Sequence, residues 1–213
     1  MRQASHSRLT WGAAAFLLAA LLAWPATTQA QLGGLLPPLT SPTTTTVNGD
    51  AAAVRATLLG VTTTLSDTGT LTGPNDARDA SMTTGSVPSL LAGETLHAVT
   101  LGWPDEVDSE AALSNLNLNV AGVGISADLV MSRASQVLGA PSQGSSVLNN
   151  LTINGMPISV TGLPNQTVAI PGGQVILNEQ SVSSTGAMVV NAVHVVINGV
   201  ADVAIASATA GVS

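Results

Sequence analysis

The sequence predicts an all-β protein, an antiparallel β-sandwich or irregular barrel of about 8–11 strands. Two observations carry that expectation. The closing stretch from Leu151 to Ala208 consists of short Val/Ile-rich runs cut by Asn-Gly, Leu-Pro-Asn and Pro-Gly-Gly at hairpin spacing, with no room for crossover helices. Outside the first thirty residues no segment sustains a helical period over three turns, and the alanine-rich pieces are interspersed with Ser, Thr and Val, which favour strand.

The elements follow in order. Residues 1–30 read as a secretory signal peptide: Arg2 and Arg8 form a basic start, Leu9 to Trp24 an apolar run, and Thr28-Gln29-Ala30 a small-residue cleavage site. The apolar run is shorter than the roughly 20 residues a membrane-spanning helix needs. Residues 31–47 (QLGGLLPPLTSPTTTTV) mix Gly, Pro and Thr without a period and read as a linker, leaving 48–213 as one domain.

Within that domain Ala51 to Thr64 is expected to be the first strand, followed by a polar loop from Ser66 to Asp79. Strands over Ala80–Leu90 and Glu94–Leu101 come next, then a turn at Gly102-Trp103-Pro104-Asp105. From Val107 to Val120 the apolar parity changes: Ala111 and Leu113 are out of step with Leu116, Leu118 and Val120, which predicts a β-bulge near Ser114. Gly122 and Gly124 make the next turn, and Ile125, Ala127, Leu129 and Met131 share one face of the strand that follows. Pro141 to Ser146 reads as a loop, and the closing third supplies about five further strands. Among these, Ala187 to Ile197 is apolar enough to be buried on both faces.

Composition excludes several functions. Beyond the leader, three arginines and no lysine stand against twelve acidic residues, so neither a polyphosphate nor an anionic membrane is a fitting partner. There is no cysteine, and no disulfide contributes to stability. Trp103 is the one aromatic residue after the leader, which leaves no aromatic platform for sugars, nucleobases or most cofactors. No cofactor is expected, calcium excepted.

The chemistry-bearing residues are few. Gly122-Val123-Gly124-Ile125-Ser126-Ala127 matches a dinucleotide fingerprint, but a strand follows where a helix N-terminus is required. No G-x-S-x-G elbow is present. His97 and His194 each stand alone amid aliphatic neighbours, as strand histidines with a backbone or carboxylate partner do. Were their strands adjacent, they would form a zinc site with Glu94 or Asp128. Glu106, Asp108 and Glu110 share strand parity beside Asp105, forming either a solvated acidic face or a calcium site that relieves their repulsion. The loop bearing Asp67, Asn75, Asp76 and Asp79 is a second calcium candidate without EF-hand spacing.

The ordered string Leu151-Thr152-Ile153-Asn154-Gly155, Gly162-Leu163-Pro164-Asn165-Gln166-Thr167, Ile170-Pro171-Gly172-Gly173, Leu177-Asn178-Glu179-Gln180 and Val190-Asn191-Ala192-Val193-His194-Val195 resembles the bacterial choice-of-anchor P family. Ala51 to Gly60 and Ser66-Asp67-Thr68-Gly69 are similar to that family's opening. The resemblance implies an exported bacterial β-domain with varied surface anchors and no attached activity. The chain departs from the pattern at its end, where Ala206-Ser207-Ala208-Thr209 replaces a Ser-Ser-x-His-like segment and no sorting motif follows.

These readings converge on a secreted, periplasmic or cell-surface structural or interaction protein without catalysis, with protein partners or self-association. A calcium-stabilised adhesion module is the first alternative. A hydrolase built from His97 or His194 with an Asp and a Ser is the second. Asn165, Asn178, Glu179, Asn191 and His194, polar residues in the most apolar part of the chain, are expected to satisfy turns and ladder ends.

Overall fold

Two-residue turns set the plan of the molecule. Leu59-Gly60, Ala121-Gly122 and Asn154-Gly155 each place both residues at positive φ, the backbone that joins antiparallel strands without splaying them. The computed structural model describes residues 45–213, so the leader and nearly all of the 31–47 linker lie outside the described residues. Two antiparallel sheets pack face to face as a sandwich, and neither closes into a barrel.

The first sheet comprises β1 (Val47–Leu58), β2 (Val61–Asp67), β10 (Gln166–Ile170), β11 (Gly173–Val182), β12 (Met188–Ile197) and β13 (Ala201–Val212). Its spatial order is β10-β11-β12-β13-β1-β2, so the opening strand is stitched between the last strand and its own hairpin partner. The second sheet runs β3-β4-β5-β6-β8-β9, formed by β3 (Ala77–Val87), β4 (Leu91–Gly102), β5 (Glu106–Val120), β6 (Val123–Val137), β8 (Thr152–Ile153) and β9 (Met156–Pro157). Beside β8, β7 (Gln143–Asn149) pairs with the other half of β6. Among the described residues there are thirteen strands and no helix; β8 and β9, two residues each, account for the excess over the expected number.

The expected parity change in β5 is present. Val107, Ala111 and Leu113 face the core, as do Leu116, Leu118 and Val120, and the switch falls at Ser114 and Asn115, with Asn115 at φ 50°. It belongs to a row. In β6, Ile125 and Ala127 face inward and Val130 and Ala134 take over after Asp128, which disagrees with the single face expected for Ile125 to Met131. The first sheet has a matching row: Ser66, Ala206 and Asn178 lie at positive φ on β2, β13 and β11. Flanking pairs such as Ala52↔Ser207 and Val54↔Ile205 set them opposite Ala53 and Ala192 on the intervening strands. Each sheet therefore bends along one transverse line, and its inward residues change parity there.

The core is aliphatic. Leu96, Leu113, Leu116, Leu118, Ile125, Leu177 and Ile205 are its largest fully buried side chains. Toward the end where β1 begins, a second apolar cluster holds Leu71, Val107, Val190 and Val212. Gly49 allows the sheets to approach there, since a Cβ would come within 2.7 Å of Thr100 Oγ1 and 2.8 Å of Val107 Cγ1. The hydroxyls of Thr100 and Ser109, 2.6 Å apart, satisfy each other inside this contact.

Two segment boundaries and one burial pattern differ from expectation. The first strand breaks at Leu59-Gly60 into β1 and β2, since glycine at φ 83° turns the chain. The loop expected over Pro141–Ser146 is in large part β7, whose alternating Gln, Ser and Asn suit a strand exposed on one face. β12 is buried fully on its inner face only; outward it carries Asn191 and His194.

Candidate functional site

The main polar cluster lies on the outer face of the first sheet, across β11, β12 and β13. Outside the bend, odd and even residues separate cleanly, and His194 falls on the outward face opposite Ile176 of β11 and Ala204 of β13. Its Nδ1 is 2.8 Å from Glu179 Oε2 and its Nε2 is 3.0 Å from Asp202 Oδ1. The Nδ1 contact is short but poorly aligned for a hydrogen bond, so it acts as an ion pair, whereas the Asp202 contact is aligned. Asn191 Nδ2 donates to the same Glu179 oxygen at 2.6 Å.

The electrostatics follow from that geometry. The Glu179 contact, helped by Asp202, raises the His194 pKa above its ordinary value against the burial that opposes it. In turn, His194 first and Asn191 second hold Glu179 below the usual carboxylate range. A ring facing a carboxylate at each nitrogen is stabilised as the imidazolium, which offers two protons and no lone pair. It fastens three strands together; it is not arranged to take a proton from a nucleophile. Asp202 also lines a shallow groove of about 370 Å³ at the sheet end, with Thr57, Leu59, Val196 and Val200.

The zinc pairing of His97 with His194 does not form. His97 lies on β4 of the second sheet, opposite Ser81 and Ala112, and points outward on the other side of the sandwich. Glu94 accepts a hydrogen bond from Asn115 and Asp128 one from Asn150, so neither attends a histidine. Among the described residues no three His, Cys, Asp or Glu side chains converge as metal ligands do.

Glu106, Asp108 and Glu110 do share the outward face of β5, with Asp105 in the preceding turn. The face is not purely acidic, because Arg133 of β6 stands opposite Glu110 and its Nη2 donates to Asp108 Oδ2 at 2.9 Å. The second calcium candidate is tied up internally. Asp76 Oδ2 accepts from the Thr72 amide and hydroxyl, each at 2.8 Å, and from Arg78, which hold its pKa at about 2. Asp67 accepts from the Gly69 amide and faces Arg55.

Asn165 and Asn178 fasten the β9–β10 connection. Asn165 Oδ1 accepts from the Gln180 amide, and Asn178 Nδ2 donates to Gly162 O at 3.1 Å. Gln180 reaches across to Gly144 O of β7, joining the two sheets.

No protein-family model, curated protein or solved structure matches this chain.

Two partners in these networks are not apparent in the sequence. Asp202 sits eight positions beyond His194, and only the β12–β13 hairpin, turning at Asn198-Gly199, brings it alongside; that Asn-Gly pair was the available signal. Arg133 gave no signal, since its place beside Asp108 depends on the register of two long strands.

Proposed function

We propose that this chain is a structural or interaction domain exported to the cell surface or beyond, without catalytic activity, which associates with other protein through its open sheet edges. The observation that carries the reading is β3. It is an eleven-residue strand at the margin of its sheet, most of its residues are exposed, and Arg78 and Asp79 are its only charges. Neither proline nor lysine interrupts it. A margin of that length presents unpaired backbone groups to a strand from another chain.

The resemblance to the choice-of-anchor P family and the signal-peptide-like start support export. No helix among the described residues is long and apolar enough to cross a membrane. The outward faces, rich in Thr, Ser and Asn and poor in charge, suit packing against like domains or a matrix. Light scattering across a concentration series tests the reading: the expected result is assembly that grows with concentration and is indifferent to calcium.

A further inference from the structure

Trp103 is the only aromatic residue among those described, and it is not in the core; it stands on the β4–β5 turn with 39% of its surface exposed. Val137 and Leu138, at the end of β6, are exposed at 43% and 48%. The backbone braces these residues into one knuckle. The Trp103 amide donates to Glu106 O at 2.8 Å, the Leu138 amide donates to Asp105 O at 2.7 Å, and Val137 pairs with Glu106 across β5 and β6. An exposed tryptophan on a turn whose backbone is hydrogen-bonded through Asp105 and Glu106 to a strand end carrying two exposed aliphatic residues has the composition of an interface anchor.

The charge around it is one-sided. Asp105 and Glu106 flank the tryptophan, and their carboxylates have no ion-pair partner among the described residues. The basic side chains that could have served are engaged elsewhere: Arg55 with Asp50 and Asp67, Arg78 with Asp76, Arg133 with Asp108. Among the described residues, a second copy of this chain offers no free arginine or lysine to this rim. The matching partner carries apolar side chains flanked by lysine or arginine.

We infer that the Trp103-Val137-Leu138 knuckle, rimmed by Asp105 and Glu106, is a docking surface for a basic, apolar segment of another protein. The inference stands apart from edge pairing by β3, because a heterologous segment on the turns needs no self-association.

The test uses the full chain with Trp11→Phe and Trp24→Phe, so that Trp103 alone reports. The probes are a short alternating leucine-lysine peptide, its leucine-glutamate counterpart and an oligolysine of equal charge. The leucine-lysine peptide should shift Trp103 emission to the blue, saturably, and bind at least about tenfold more tightly than either control. Asp105→Asn with Glu106→Gln, or Leu138→Ser, should each weaken that binding about fivefold or more, while Glu94→Gln with Asp128→Asn, an equal loss of charge at the bend of the sheet, should not. Unchanged emission, equal binding of the glutamate peptide or of oligolysine, or equal weakening by the distant pair overturns the proposal. Circular dichroism of each variant separates lost binding from lost fold.

Discussion

His194 Nε2 lies 3.0 Å from Asp202 Oδ1 on the neighbouring strand, while its other nitrogen meets Glu179 on the strand to the opposite side. One ring thus spans three strands of the first sheet. The pH dependence has two limbs. His194 has a raised pKa, so its contribution is fully present below its unfolded value, about 6.5, and is lost as pH rises through the folded value. Glu179 has a lowered pKa, so its contribution is present above its unfolded value, about 4.3, and is lost as pH falls through the folded value. The stability difference between wild type and His194→Gln should therefore be largest near pH 5–6, about 1–2 kcal/mol, and shrink toward pH 9. Urea titrations at several pH values measure it; a difference that grows with alkalinity contradicts the charge assignment.

Asn178 does two jobs, holding φ 49° at the bend of β11 and donating to Gly162 O. Asn178→Ala loses the bonds and adds left-handed strain, at a cost of about 2–4 kcal/mol. Asn178→Gly loses only the bonds, and should be about 1 kcal/mol less damaging. Equal midpoints for the two variants in chemical denaturation would refute the strain component.

How far the sequence discloses this molecule depends on what each feature requires. Sandwich architecture, the alternation of Leu96, Ala98 and Thr100 in β4 and the parity change of β5 are all legible, because each is written in the period of the apolar residues. The hairpin at Leu59-Gly60 is not, since leucine occupies a left-handed position where asparagine is the usual signal. The remaining bends escape for a similar reason: Ala206 and Ser66 sit at positive φ without the residue type that announces it. The Glu179-His194-Asp202 cluster combines two strand registers with the bend of the first sheet at Asn178, none of which the apolar period specifies.

Gly49 marks the close approach of the sheets. With Gly49→Ala the new methyl meets Thr100 Oγ1 at 2.7 Å and Leu71 Cδ1 at 2.8 Å, so overpacking should cost about 1–3 kcal/mol. A melting temperature equal to wild type would show that the sheets separate freely there.

Calcium should leave the melting temperature unchanged. Arg133 already supplies a positive charge to Asp108 on the acidic face of β5, and Thr72 with Arg78 engages Asp76 in the loop. A calcium-dependent rise, abolished by Asp108→Ala, would instead establish the adhesion-module reading.

Association through the open margin of β3 is read by sedimentation velocity on wild type and on Ser81→Lys with Ser86→Lys. Both serines are exposed on that strand, and lysine on a sheet margin blocks pairing without entering the core. Wild type should sediment progressively faster as concentration rises, while the lysine variant, folded by circular dichroism, stays monomeric throughout the same range. A wild type that remains monomeric at every concentration, or a variant that assembles as wild type does, would mean that the β3 margin does not drive assembly.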